Sequence, residues 1–265
     1  MKKASGSLAS FNSYYQAIFG DRWQSLREAL ILESSPIAYS KCLLKPYYMD
    51  RASVQVAYAM PPLDNDGICL DMCAAPGGKT LVLASSLGDG NIELQANELS
   101  SARRARLINV IDEHLEEKIK KRITVTPYDA AKMAKKINEK YDRILLDSPC
   151  SSERHLLHAP NTLKKWTPAR IKNLSFRQWA LLSSAFIMLK RNGFLIYSTC
   201  ALLEIENDNV IEKLLKKYEN AKITTANRWS PLCQETPLKT KYGYIYFPDI
   251  HNGAGPMYFS LITKI

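Results

Sequence analysis

Apolar residues recur at three- and four-residue steps through Tyr15, Phe19, Trp23, Leu26 and Leu30, which predicts a helix over 11–33. Pro36 and Pro46 interrupt that pattern, and a short helix over 48–60 ends at Pro61-Pro62. Farther along, short apolar runs alternate with helical stretches. Ile68-Cys69-Leu70, Ile92 to Ala96, Ile123-Thr124-Val125, Arg143 to Leu146 and Phe194 to Tyr197 read as five strands. Helices are expected over Lys79 to Leu87, over 101–115, over about 168–190, and after a cap at Asn207 or Asp208. The tail 242–263 reads as two strands around a loop from Pro248 to Pro256. This alternation predicts an α/β fold: a mostly parallel sheet with helices on both faces. Such sheets bind ligands at the carboxyl ends of their strands. Asp71, Glu98, Asp129, Asp147 and Cys200 stand at five successive strand ends and would ring one crevice.

The chain has 265 residues, with 36 Lys+Arg against 26 Asp+Glu and a formal net charge of +10. That excess suggests a polyanionic partner, although lysines kept for solubility or for a membrane surface would give the same count. No apolar run approaches the roughly 18 residues of a membrane span, so no membrane contact is expected. Lys2 and Lys3 precede no apolar stretch of signal-peptide length, which points to the cytoplasm and leaves an organelle open. Six cysteines occur at 42, 69, 73, 150, 200 and 233, none in a Cys-x-x-Cys pair. Neither a disulfide framework nor a metal site is expected, so these thiols are buried apolar groups or chemistry.

The loop Asp71 to Thr80, DMCAAPGGKT, lies between a strand and a helix. Its small residues Cys73, Ala74, Ala75, Pro76, Gly77 and Gly78 would let a ligand approach the backbone. A tight turn would have the same composition. Gly78-Lys79-Thr80 also fits the end of a phosphate-cradling loop, but Cys73 stands where its first glycine belongs. Glu98 is placed to accept both hydroxyls of a ribose, and Asp129 to accept an exocyclic amine such as that of adenine. Without a Gly-x-Gly-x-x-Gly fingerprint, these acids suit a nucleoside lacking a pyrophosphate, such as S-adenosylmethionine. Cys150, in Asp147-Ser-Pro-Cys, and Cys200, in Ser198-Thr-Cys, follow neighbouring strands and would face one pocket.

A thiolate, a carboxylate and a methyl donor together suit methylation of cytosine carbon 5. Thiolate addition at carbon 6 turns the ring into an enamine that can accept a methyl group at carbon 5. A carboxylate at N3 and the amino group assists the addition. A free thiol is only a few per cent ionised near neutrality, so a cation such as Lys79 or the sulfonium must help.

These motifs resemble the Nop/Sun-domain (RsmB-like) family of RNA cytosine-5 methyltransferases. The resemblance rests on Asp71-x-Cys73-Ala-Ala-Pro-Gly-Gly-Lys79-Thr, Asp147-Ser-Pro-Cys150-Ser-Ser, and Tyr197-Ser-Thr-Cys200 with Glu206-Asn207. It runs from about 45 to 263 and includes Tyr47-Tyr-Met-Asp50 and Gly255-Pro-Met-Tyr-Phe259. Cys150-Ser-Ser-Glu-Arg154-His155-Leu-Leu-His158 looks most similar to the mitochondrial ribosomal-RNA members. The resemblance implies a class I, Rossmann-like methyltransferase domain over 46–265, preceded by a helical segment over 1–45. It implies cofactor contacts from residues 73–79, Glu98, Asp129 and Asp147. It makes Cys200 the nucleophile and Cys150 the thiol that assists product release. Lys79 would orient Asp147 or the base. Arg103 would steady the Glu98 loop, unless it is surface charge.

Glu153 departs mildly from the family pattern, where aspartate is frequent. The chain is also expected to lack the separate RNA-binding domain of many relatives. Specificity would then rest on the N-terminal segment, basic surface residues or a partner protein. Arg154, His155, His158 and the 159–167 loop are placed to line an RNA channel, with Trp166 either stacking on a base or packing in the core. Ribosomal RNA is favoured over transfer RNA, and a monomer is expected. Two other readings stay open: a P-loop-type nucleotide hydrolase, and a non-catalytic RNA-binding or ribosome-assembly factor with the same fold.

Overall fold

The computed structural model describes residues 7–33, 35–88 and 90–265. Lys2 and Lys3 lie outside them. Two helices, α1 (Leu8–Phe19) and α2 (Arg22–Ile31), replace the single helix expected over 11–33. The break falls at Gly20, whose φ of +56° suits glycine and whose N–H caps α1 through Gln16 O. The aromatic spacing survives the break because α2 folds back on α1, stacking Trp23 on Tyr15 with ring centroids 4.9 Å apart.

Two three-residue strands follow, β1 (Ile37–Tyr39) and β2 (Tyr47–Met49), paired as an antiparallel ribbon. The proline-punctuated sequence hid both. Tyr47–Met49 therefore lies outside α3 (Arg51–Tyr58), which starts later than the pattern suggested. Asp50 caps α3, its Oδ1 accepting from Ala52 N at 2.7 Å.

The alternating core runs β3 (Asp66–Asp71), α4 (Gly78–Ala84), β4 (Asn91–Asn97), α5 (Ser101–His114), α6 (Glu117–Lys120), β5 (Ile123–Thr126) and β6 (Tyr141–Asp147). Next come α7 (Glu153–His158), α8 (Pro160–Leu163), α9 (Pro168–Met188), β7 (Leu189–Thr199) and α10 (Asp208–Lys217). The chain closes with β8 (Ala221–Thr224), β9 (Leu238–Lys239), β10 (Tyr244–Tyr246) and β11 (Met257–Lys264). The main sheet has the order β5-β4-β3-β6-β7-β11-β10-β9, with β8 on the far half of β11. Its first five strands are parallel, and the remainder are antiparallel.

Side chains alternate across this sheet. Ile144 and Leu146 of β6 join one apolar layer with Trp166, Leu181 and the aromatics of α1 and α2. Leu145 points into the other layer with Val54, Leu81, Leu94 and Leu107. Burial on both faces explains why the strands read as continuous apolar runs. The expected cap of α10 is corrected. Asn207 occupies the capping position, but its side chain instead accepts from Thr199 Oγ1 at 2.6 Å and donates to Ala201 O at 3.0 Å. Asp208 accepts from the Tyr258 hydroxyl and from the 240–242 turn. Among the described residues no helix is long and apolar enough to cross a membrane.

Candidate active site

The parallel strands deliver their carboxyl ends to one edge. β3 ends at Asp71, whose Oδ2 accepts from Thr80 Oγ1 at 2.7 Å and ties the strand to α4. Burial pushes this carboxyl up to about 7 against that hydrogen bond, and its buried Oδ1 has no partner among the described residues. The intervening loop is pinned by Met72 N to Leu145 O and Ala74 N to Asn97 O. Gly77 needs its φ of +120°, and a Cβ on Gly78 would lie 2.8 Å from Tyr47 Cε1. The β1–β2 ribbon thus presses on the loop from outside. Burial raises the Cys73 thiol, and the carboxylates of Asp71, Asp147 and Glu98 raise it further. Cys73 is a neutral packing group.

Glu98 follows β4. It is almost fully buried, with Oε1 accepting from Ser100 N at 2.9 Å and Oε2 lying 3.2 Å from Arg103. Arg103 also donates to Ala75 O at 2.6 Å, so it braces the first loop against the second. Asp129 stands partly exposed after β5, 3.1 Å from Lys132. Asn97, which sequence reasoning assigned no function, holds all three loops in place. Its amide donates to Met72 O and Tyr128 O, and its carbonyl accepts from Thr126 Oγ1 and Tyr128 N. Only its place at a strand end hinted at this.

β6 and β7 pair in register at Asp147 and Ser198, so the turns after them lie side by side. Asp147 accepts from Lys79 Nζ at 2.8 Å and from Ser198 Oγ at 3.0 Å. Burial works against the Lys79 charge, but Asp147 outweighs it and the ammonium is held firmly protonated. Cys150 Sγ lies 3.2 Å from Cys200 Sγ, and Ser152 Oγ lies 3.1 Å from Cys200 Sγ. The hydrogen bond from Cys150 lowers Cys200, Ser152 adds to that effect, and burial opposes it. The same contact, with burial, pushes Cys150 well above an ordinary thiol. A thiolate on Cys200 would be held by the Cys150 thiol and the Ser152 hydroxyl.

Two cavities meet here. One of about 130 Å³ is bounded by Asp71, the 73–79 loop and Asp147. The other, of about 600 Å³, opens over Cys200, Ser152 and His155. Ser53 of α3 lines both and lies 3.3 Å from Lys79 Nζ, a role no sequence signal suggested. A separate cavity of about 720 Å³, lined by Ile92, Glu93 and Thr124, contains none of these groups.

The expected RNA-facing residues divide. Arg154 borders the larger cavity, and three of its five donors bond Gly255 O, Gly253 O and Leu32 O, each at 3.0 Å. It clamps loops. His158 is hydrogen-bonded to Leu30 O, while His155 is exposed on the cavity rim. Trp166 is buried against Phe11, Tyr14 and Tyr15, so core packing is its role.

The small crevice is lined by Asp71 and Asp147, with Glu98 and Asp129 after the neighbouring strands, and Lys79 is already committed to Asp147. That commitment leaves the loop no free lysine for a triphosphate, which weighs against a P-loop reading. Asp71's orphaned oxygen and the small-residue wall of Ala74, Ala75 and Gly78 fit a sulfonium nucleoside bearing hydrogen-bond donors.

Comparison with known proteins agrees. The chain is 31% identical over 235 residues to the mouse 5-cytosine rRNA methyltransferase NSUN4, covering 84% of this chain and 61% of that protein. It is 35% identical over 214 residues to ribosomal RNA small subunit methyltransferase F of Aeromonas salmonicida (strain A449), covering 79% of this chain and 44% of that one. It thus spans less than two thirds of either relative. The crystal structure of NSun6 from Pyrococcus horikoshii with SFG superposes with a TM-score of 0.68 at 25% identity, over 85% of this chain and 54% of that one. The sequence profile of the 16S rRNA methyltransferase RsmB/F family matches residues 57–263, which hold the strand ends and both thiols, and this chain belongs to that family.

Proposed function

We propose that this chain methylates carbon 5 of cytosine in RNA, ribosomal RNA before transfer RNA, using S-adenosylmethionine. The observation that carries the reading is the 3.2 Å contact of Cys150 and Cys200 beside the Lys79–Asp147 pair, where the two cavities meet. The bound cofactor supplies an electrophilic methyl group. Residues 73–79 line its crevice, with Glu98 at the ribose, Asp129 at the adenine amine and Arg103 bracing the Glu98 loop. Asp147 sits at the base edge, oriented by Lys79.

Cys200 adds as a thiolate to carbon 6, which makes carbon 5 nucleophilic. After methylation, carbon 5 loses its proton and the carbon 6–sulfur bond breaks to return the thiolate. Cys150 assists that release. Within the 1–45 segment, α1 and α2 act as a buttress to the 46–265 catalytic domain. The chain acts as a monomer in the cytoplasm or an organelle, with a protein partner available to add RNA specificity.

The test is radiolabelled methyl transfer to total RNA, followed by bisulfite sequencing. Cys200→Ala should abolish transfer. Cys150→Ala should bind cofactor normally and accumulate a covalent protein–RNA adduct that survives denaturing electrophoresis. Exchange of those phenotypes would reverse the two roles. Cofactor binding without methyl transfer by the wild type would favour an assembly factor.

A further inference from the structure

Behind the thiols lies a buried cluster that the proposed chemistry does not use. Glu153 and Glu206 are both fully buried. Ser151 Oγ lies 2.6 Å from Glu153 Oε1 and 2.5 Å from Glu206 Oε2. A hydroxyl carries one proton and can donate to only one carboxylate. At these distances the second carboxylate is held only if it brings a proton of its own.

The remaining bonds say which glutamate that is. Glu153 Oε1 also accepts from the Tyr15 hydroxyl at 2.7 Å, and Oε2 accepts from Leu202 N at 3.3 Å. Every contact of Glu153 is a donor, as an ionised carboxylate requires. Glu206 Oε1 accepts from Ser151 N and Gln178 Nε2, each at 2.9 Å, which leaves Oε2 facing Ser151 alone among the described residues. The proton belongs on Glu206 Oε2. It donates to Ser151, which donates to Glu153.

This chain of bonds staples the two thiol turns together. Ser151 follows Cys150 directly, and Leu202 and Glu206 lie on the turn after Cys200. Tyr15 ties both turns to α1. We propose that Glu206, Ser151 and Glu153 act as a one-proton relay that positions Cys150 against Cys200, with Glu206 protonated and Glu153 ionised in the active form. The consequence for methyl transfer rests on the function proposed above; the proton count does not.

The groups facing the pair are Tyr14 and Tyr15 of α1, Gln178 of α9, Tyr197 of β7, and the two thiols. The tyrosines are all raised by burial and stay neutral near pH 7. Burial raises both glutamates, and repulsion from Glu153 adds to the rise of Glu206, to about 7; the hydrogen-bond count is what places the proton on Glu206. A group raised in the folded state stabilises the fold at low pH. That contribution is lost as pH climbs through about 7.

Glu206→Gln and Glu153→Gln test the assignment because a glutamine mimics only the protonated partner. Glu206→Gln should keep methyl transfer within about threefold of wild type at pH 6.5 and lose the wild-type fall above pH 7. Its Tm should match wild type near pH 4 and exceed it by about 4 °C at pH 8. Glu153→Gln sets an amide against two hydroxyl donors and should lower kcat at least tenfold at every pH, with KM little changed. Restoring the carboxylate one carbon shorter, Glu153→Asp, should recover most of it. Equal losses in the two glutamine variants, or a Glu206→Gln Tm deficit that grows with pH, would overturn the relay. The Tm series needs neither RNA nor cofactor. It therefore decides the relay even if no RNA is methylated.

Discussion

The crevice after β3, β4 and β5 and the thiol cleft after β6 and β7 share one sheet edge but are built differently. In the crevice, each strand end is held by a near neighbour or by the adjacent loop: Asp71 by Thr80, Glu98 by Ser100 and Arg103, and three loops by Asn97. The cleft draws on distant chain. Tyr15 of α1 reaches Glu153, Gln178 of α9 reaches Glu206, and Arg154 clamps the 253–255 turn. A site for a rigid cofactor can be made from local turns. A site that must set two sulfurs at a fixed separation needs backing from several layers.

Trp166→Ala should break the comparison most visibly. Removing this indole from among Phe11, Tyr14 and Tyr15 should cost about 3–5 kcal/mol in denaturant titration. Methyl transfer should fall while cofactor affinity changes less than about twofold. A parallel loss of cofactor binding would mean that the two regions are one unit. Lys79→Met touches both regions, since its ammonium is buried between them and pairs with Asp147. Because that carboxylate is one-third exposed, the loss should be about 2 kcal/mol, below the cost of breaking a fully buried pair. Cofactor affinity and turnover should drop together in titration and methyl-transfer assays. Arg103→Ala should do least. Its guanidinium is half exposed, so stability should change by under about 1 kcal/mol, with cofactor affinity falling a few-fold in calorimetry.

The sheet was legible where strands are buried on both faces, because unbroken apolar runs ending in acids mark such strands. The N-terminal helix was misread because aromatic spacing continues across Gly20 when one helix folds back on another. β1, β2 and β9 are too short to show an alternation. The cysteines mark the limit most clearly. Cys73, Cys150 and Cys200 all follow strands, yet Cys73 is pushed up among carboxylates while Cys200 is lowered by a second thiol. Arg154 lines the larger cavity as its place after Cys150 suggested, but nothing local reveals the three carbonyls it also bonds.

The amino-acid order by itself determined which residues stand at the strand ends, since apolar periodicity places strand and turn from neighbours a few positions apart. Only the tertiary structure decided what those residues are to one another. The meeting of the two sulfurs, the single proton shared by Glu153 and Glu206, and the engagement of Arg154 depend on groups brought together from across the chain. Burial then sets their charge states.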